Sequence, residues 1–398
     1  MRIAIYGGCF NPPHLGHVAA ARDSYEALRP DLFLVLPDRQ PPHKVPFPGE
    51  PDPKERLELC RAAFQELPWA QVSDLCFERE GPCYMSDTLR ELREQYPGDD
   101  LILILGADMF MSIETWHDAG ELLKDLHLAV LVRDALSRGT LEALSRRLAL
   151  QYGTRTELMP NEPLPISSSQ VRVLLPKRMG EDLLPQEVYA AIIRNRWYGA
   201  QVSLKWLRKQ VYAMLKPSRI PHVAGCEKAA SALARRWGAD PDTAAEAGIL
   251  HDMTKRWTTE EQLQYCRENG IALDPCEERN PQLLHAMTGA VAAKQFFGAS
   301  DEICRSIRWH TTGKPDMDLL EKIVYLADVI EENRSYPEVD ELRKMCFQNL
   351  DAAMELATGI CLEHVKKTRD EVHHDTVDAY RWYSAAENTR RNPNAESR

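Results

Sequence analysis

The stretch GGCFNPPHLGH, Gly7 to His17, follows directly on the apolar run Ile3, Ala4, Ile5. A run so short, ending in two glycines, reads as a strand buried on both faces. The glycines are expected to let the backbone turn tightly and approach a ligand closely, while a helix opening near Gly16 points its free N–H groups into the turn. That geometry suits phosphate. With the helix begun, His14 and His17 share a face and can both donate to phosphate oxygens. The stretch is neither GxGxxG nor GxxxxGK followed by Ser or Thr, so the usual dinucleotide and P-loop fingerprints do not apply. Taken alone, it reads equally well as a plain strand-to-helix turn with exposed histidines.

Working outward, LFLVLP at 32–37, LILILG at 101–106 and HLAVLVR at 127–133 are runs of the same kind. Between them, segments such as SDTLRELREQY at 86–96 show helical spacing, with Leu89 and Leu92 set among charges. This alternation predicts βαβ units on a parallel sheet. The proline-rich PDRQPPHKVPFPGEPDP, 37–53, is predicted to be irregular, and a loop that long is more often a binding loop than a spacer. After Trp197-Tyr198-Gly199 the character changes: from about 203 to 385 there is helical periodicity, as in EKAASALARRW and EKIVYLADVIEE, with almost no strand-like alternation. A chain of 398 residues also exceeds the usual size of one core. The reading is an α/β domain over 1–198 and an all-α domain over 203–388, joined near 196–205. The polar NTRRNPNAESR at the end is expected to fray.

Composition narrows the function classes. With 44% hydrophobic and 27% charged residues and no window near the roughly 20 apolar residues of a membrane span, the chain reads as soluble and cytoplasmic. Its N-terminus, MRIAIYGGCF, reads as a first strand and not as a signal peptide. The net charge of −11 argues against nucleic acid or an anionic membrane as partner, while leaving room for a local basic pocket for a phosphorylated small molecule. Ten scattered cysteines without a Cys-x-x-Cys pair read as reduced thiols, mostly core filler. A homo-oligomer is left open.

GGCFNPPHLGH matches the GGxFxPxHxGH signature of the HxGH nucleotidyltransferases. PPHK at 41–44, YMSDTL at 84–89, LGADMFMSIETWHD at 105–118 and ISSSQVR at 166–172 fall in the order seen in bacterial nicotinate-mononucleotide adenylyltransferase, which this half resembles. The resemblance implies a Rossmann-like sheet with ATP over the C-terminal strand ends, and transfer of AMP from ATP to nicotinate mononucleotide with release of pyrophosphate. Such transfer requires two anions to be aligned and growing charge neutralised, with no covalent nucleophile. By resemblance, Gly7, Gly8, Phe10, His14 and His17 hold ATP; Ser167, Ser168 and Arg172 grip the triphosphate, and Mg²⁺ accompanies it. Asp108 contacts a ribose hydroxyl and Trp116 stacks on the pyridine ring, with Met85 and His117 beside it and Lys44 and Arg133 as phosphate contacts. Met85 and Ser169 stand where the family often has Thr, and His117 where it often has an aromatic residue. Acid-versus-amide selectivity then turns on whether these positions offer backbone N–H groups or side chains.

In the second half, His222, His251-Asp252, His285, His310 and Asp328 are spaced by a helix traverse or two, so antiparallel helices can point all six inward. An HD dipeptide alone is expected by chance about half the time in a chain this long. The surrounding phrases say more. GILHDMTKRW, LLHAMTGAVAA, IRWHTTGKPDM and KIVYLADVIEENR resemble the HD-superfamily branch of bacterial symmetrical diadenosine tetraphosphate hydrolases, over about 205–385. The resemblance implies two metal ions, iron by preference, with manganese and zinc also suited to imidazole and carboxylate. Asp252 bridges them; His222, His251 and Asp328 hold one ion and His285 and His310 the other. Catalysis falls to Asp252 and Lys255 here, and to His14, His17 and Arg172 in the first half. The implied reaction splits diadenosine tetraphosphate into two ADP. Two rivals compete: another acceptor for the first half, such as nicotinamide mononucleotide or phosphopantetheine, and another nucleotide substrate or a non-catalytic sensing role for the second.

Overall fold

Four of the six strands are the apolar runs: β1 (Arg2–Gly8), β2 (Leu32–Pro37), β4 (Asp100–Gly106) and β5 (His127–Leu131). The other two, β3 (Ala70–Val72) and β6 (Arg155–Met159), close the edges of one parallel sheet ordered β3-β2-β1-β4-β5-β6. The computed structural model describes residues 1–40, 45–79, 81–132, 138–159, 164–368 and 371–391. The chain divides into two compact units, Met1–Gln201 and Val202–Arg398.

In the first unit, Ile5 lies opposite Leu34 on one side and Leu103 on the other. Ile3, Ile5, Leu34, Leu103, Leu128 and Val130 bury one sheet face. Ala4, Phe33, Val35, Ile102 and Ala129 are equally buried by pleat alternation on the other, which is why these strands read as continuous apolar runs. Around the sheet lie α1 (Leu15–Leu28), α2 (Pro53–Phe64), α3 (Met85–Gln95), α4 (Ala107–Met111), α5 (Ala119–Leu123), α6 (Arg138–Tyr152), α7 (Ser168–Leu174) and α8 (Gln186–Asn195). Strand order reverses between β1 and β4, and a crevice at the C-terminal ends of such a pair is where open parallel sheets take ligands. Pro37 closes β2 and Pro53 opens α2; between them the described residues, 38–40 and 45–52, form no helix or strand.

The second unit is helical, with no strand among its described residues. It comprises α9 (Leu204–Met214), α10 (Ile220–Trp237), α11 (Pro241–Leu250), α12 (Thr259–Glu268), α13 (Pro275–Arg279), α14 (Leu284–Phe297), α15 (Asp301–Trp309), α16 (Leu319–Ile330), α17 (Val339–Cys346), α18 (Leu350–Thr368) and α19 (His374–Arg391). Helix α19 thus runs into the segment expected to fray. Two tight hairpins organise the site. In the first, Gly238 ends α10 in the left-handed conformation and Asp240 caps α11; in the second, Gly298 ends α14 and Ser300 caps α15. A Cβ on Gly248 would lie 2.9 Å from the Glu227 Cα, so α10 and α11 meet backbone to backbone. No helix among the described residues is long and apolar enough to cross a membrane.

Candidate functional site

In the first unit the loop between β1 and α1 differs from the sequence expectation in one respect. Gly7 and Gly8 belong to the strand, and the left-handed residue is Phe10, with φ of 44°. The glycines serve close packing instead: a Cβ on Gly7 would fall 2.6 Å from the Met85 Cε, and one on Gly8 would fall 3.3 Å from the Phe10 ring. His14 is the N-cap of α1 and His17 its third residue, whose backbone N–H donates to the His14 carbonyl at 2.8 Å. The His14 N–H to His17 Nδ1 bond is 3.1 Å, and the rings stack 3.6 Å apart. Because His17 Nδ1 accepts, the neutral ring carries its proton on Nε2.

Helix α7 docks on this loop. Ser168 Oγ donates to the Pro12 carbonyl at 2.9 Å, Arg172 donates to the Asn11 carbonyl and, at 3.0 Å, to Ser169 Oγ. Ser167 caps α7 by accepting from Gln170 N–H at 3.1 Å. Phe10, His14, His17, Ser167, Ser168 and Arg172 are therefore gathered at one end of β1, and Met85 reaches Gly7 from the start of α3. The sequence reading missed Asn11 and Tyr198: the Tyr198 hydroxyl donates to Asn11 Oδ1, while Asn11 Nδ2 donates to Glu50. Asp108 stands apart on the adjacent strand's exit, exposed in the first turn of α4. Trp116 packs partly into the core, and His117 stacks on Tyr84 at 4.1 Å with Nδ1 3.4 Å from Ser86 Oγ. Lys44 and Arg133 lie outside the described residues.

In the second unit the hairpins explain the ligand spacing. His222 occupies the first turn of α10 and His251 caps the C-terminus of α11; His285 opens α14 and His310 caps α15. Each antiparallel pair thus presents two histidines at one end, and Asp328 joins them from the last turn of α16. His222 Nε2 lies 3.2 Å from His251 Nε2 and 3.1 Å from Asp328 Oδ1. His285 Nε2 lies 3.1 Å from His310 Nε2. Asp252, fully buried, sits between the pairs: Oδ1 is 3.2 Å from His285 Nε2 and 3.7 Å from His310 Nε2, while Oδ2 is 3.6 Å from His251 Nε2 and 3.8 Å from His222 Nε2.

The other ring nitrogens fix the protons. Nδ1 of His251, His285 and His310 faces the carbonyl of Gly248, Gln282 and Ile307 at 2.6–2.7 Å, and Nδ1 of His222 faces Glu331 Oε1 at 3.1 Å. Only Nδ1–H satisfies those acceptors, and all four Nε2 atoms point inward. Burial pushes His251 down to about 3 and His285 to about 4, so both rings are neutral near pH 7. Asp252 Oδ1 has no hydrogen-bond donor. The His251 and His285 lone pairs and the Asp252 carboxylate, facing one another at these distances, repel unless a cation lies among them, so the residues fit divalent metal binding.

Three cations ring the cluster. Arg219 binds Asp252 Oδ2 at 2.5 Å, Arg334 binds Asp328 Oδ1 at 2.6 Å, and Lys255 Nζ lies 2.9 Å from His285 Nε2 and 4.0 Å from Asp252 Oδ1. Arg219, Arg334, Glu331 and Cys226 were not singled out from sequence. The last two lie near predicted ligands, Cys226 one helical turn after His222 and Glu331 three residues after Asp328, and that spacing was the available signal.

A cytidylyltransferase-like family model matches residues 5–174 and an HD domain model matches residues 219–333. The probable nicotinate-nucleotide adenylyltransferase of Carboxydothermus hydrogenoformans is 32% identical over 198 residues, 50% of this chain and 98% of that protein. The symmetrical bis(5'-nucleosyl)-tetraphosphatase of Bacillus subtilis is 37% identical over 173 residues, 43% of this chain and 92% of that protein. Among solved structures, an HD superfamily hydrolase of Clostridium acetobutylicum is 32% identical, with a TM-score of 0.45 over 47% of this chain and all of that one.

Proposed function

Since the chain joins a member of the nicotinate-nucleotide adenylyltransferase family to an HD domain of the symmetrical tetraphosphatase family, we propose that it carries two activities. The first unit transfers AMP from ATP to nicotinate mononucleotide, and the second hydrolyses diadenosine tetraphosphate to two ADP.

In the first unit the phosphate of the mononucleotide attacks the α-phosphorus of ATP, the new P–O bond forming as the bond to pyrophosphate breaks. The chain's work is alignment and charge neutralisation. His17 Nε2–H and His14 meet the triphosphate at the mouth of α1, whose first N–H groups add to the field. Arg172, already forked between the loop and Ser169, supplies fixed positive charge to phosphate oxygens. Ser167 and Ser168 add hydroxyls from the opening of α7, and Gly7, Gly8 and Phe10 shape the loop. Mg²⁺ arrives as the ATP chelate. Asp108 would meet a ribose hydroxyl, and Trp116 with Met85 and His117 would meet the pyridine end.

In the second unit the carrying observation is the inward convergence of four Nε2 atoms on the Asp252 carboxylate, whose Oδ1 no hydrogen-bond donor reaches. His222, His251 and Asp328 would hold one ion, His285 and His310 the other, and Asp252 both. Bound metals supply Lewis acidity to a phosphoanhydride. The chain itself binds the polyphosphate through Lys255, Arg219 and Arg334, whose side chains are 30–38% exposed. Their charge also offsets that of the leaving phosphate.

The test uses the full chain. Nicotinate mononucleotide, nicotinamide mononucleotide and phosphopantetheine are assayed side by side with ATP; preference for either rival acceptor sinks the first assignment. The protein reconstituted with Fe²⁺ or Mn²⁺ is then incubated with diadenosine tetraphosphate and the products resolved. Two ADP, abolished by Asp252→Ala, is the expected outcome, whereas ATP plus AMP, or no reaction, rejects the second.

A further inference from the structure

The thiol of Cys226 is not used by either activity as described above, yet it lies inside the cluster. It is one turn after His222 on α10, 1% exposed, with Sγ 3.4 Å from His222 Nε2. Ligand atoms of His222, Cys226, His251 and Asp328 all lie within 4.8 Å of one another. We propose that Cys226 is a fifth ligand at the position of His222, His251, Asp328 and the shared Asp252, bound through its sulfur. This deepens the reading of the helical unit as a dimetal site and rests on it.

Distances carry the assignment. With metal–nitrogen and metal–oxygen bonds of about 2.1 Å and a metal–sulfur bond of about 2.3 Å, donors sharing one ion at roughly right to tetrahedral angles lie about 3.0–3.6 Å apart. The contacts of His222 Nε2 with Asp328 Oδ1, His251 Nε2 and Cys226 Sγ are 3.1, 3.2 and 3.4 Å, all inside that range. A thiol hydrogen bond to His222 Nε2 is the simpler alternative. It would use the nitrogen's one lone pair and leave the His251 Nε2 lone pair facing that nitrogen at 3.2 Å with no cation between them. One cation satisfies all four donors. Two ligands four residues apart on a helix face also form a recurrent clamp for a single ion.

On binding, the sulfur–metal bond forms as the thiol proton leaves to solvent, and no oxidation state changes. The two positions then differ in kind. One is mixed nitrogen, oxygen and sulfur, while the other has two imidazoles and the shared carboxylate alone. Sulfur ligation selects zinc or iron over magnesium, calcium or manganese at the first position, and sets an oxidisable ligand on the metal.

The full-length protein is stripped with chelator, reduced and loaded with Co²⁺ as the probe. The expected result is a sulfur-to-cobalt charge-transfer band in the near ultraviolet, absent from Cys226→Ser and from the apolar Cys226→Val. Both variants should still take up cobalt, with affinity at one position lowered by at least the roughly tenfold that loss of a mere supporting partner costs. Cobalt bound to the wild type without the band, or a band that survives in both variants, overturns the proposal while the dimetal reading stands. Failure of the wild type to bind cobalt overturns both.

Discussion

Gly225 tests how the proposed metal-binding cluster is held. It lies inside α10 between His222 and Cys226, where glycine costs a helix about 1 kcal/mol relative to alanine. A Cβ there would fall 2.3 Å from Glu331 Oε2 and 3.1 Å from the Glu331 Cβ. A carbon–oxygen contact needs about 3.3 Å, so in Gly225→Ala the carboxylate must retreat by about 1 Å. Its other oxygen holds His222 Nδ1 at 3.1 Å, and Oε2 itself accepts from Asn333 N and Nδ2 at 2.7 and 2.8 Å. A 1 Å retreat takes the histidine contact beyond hydrogen-bonding range. The buried charge-assisted bond lost is worth about 1.5–3 kcal/mol, against which the alanine recovers about 1 kcal/mol of helix propensity. Metal-free stability should therefore fall by no more than about 2 kcal/mol. Metal affinity should fall by about ten- to a hundredfold, because His222 loses the partner that fixes its tautomer and orientation. Competition between the protein and a chelator for Zn²⁺, with a urea melt of the stripped protein, reads both numbers. Glu331→Gln, which keeps the shape and drops the charge, should lose less in the same direction. Wild-type metal affinity in Gly225→Ala would refute the claim that Glu331 positions His222.

Three further outcomes are expected. His17→Ala should lower adenylyl transfer by roughly ten- to a thousandfold while hydrolysis by the helical unit continues; equal loss of both activities would point to a folding defect. Chelation should lower the melting temperature of the helical unit and spare the sheet unit, since an ion present at about a hundred times its Kd stabilises by about 2.7 kcal/mol; a shift confined to the sheet unit would contradict the ligand assignment. Asp100, at the start of β4, is held below the usual carboxylate range: burial would raise it, but hydrogen bonds from His127 and Arg155 prevail. Its depressed pKa means that the stabilisation is full above about pH 4 and is lost as pH falls through the folded value. Asp100→Asn should then cost about 0.5–1 kcal/mol in urea melts at pH 6, with the gap closing toward pH 3; a gap independent of pH would rule the charge out.

What could be read from sequence follows from burial. β1, β2, β4 and β5 are covered on both faces and show as uninterrupted apolar runs. β3 is three residues long, and β6, RTELM, buries only Met159 fully. Edge strands of that kind carry no strong pattern, and both went unread. The turn after β1 shows a similar limit. The paired glycines pointed to a tight bend, but the strained conformation fell on Phe10, because packing against Met85 and the Phe10 ring already claimed the glycines. Proline boundaries were clearer: Pro53 opens α2 and Pro241 opens α11, at first-turn positions where a missing N–H costs nothing.

The metal cluster separates two kinds of legibility. Its histidines and aspartates stood out because their spacing matched helix traverses, and the hairpins show why: a first-turn ligand, one helix up, a glycine stop, a capped helix down and a second ligand at the same open end. Arg219 and Arg334 could not be found that way. Each acts by holding another residue, and a holding contact is specified by where a side chain ends and not by a repeat along the chain. Cys226 falls between the two kinds. Its spacing from His222 is a ligand's spacing, while its residue type, buried in a helix, is indistinguishable in sequence from core filling. Only the convergence of its sulfur with two imidazoles and a carboxylate distinguishes the two roles, and the cobalt spectrum decides between them.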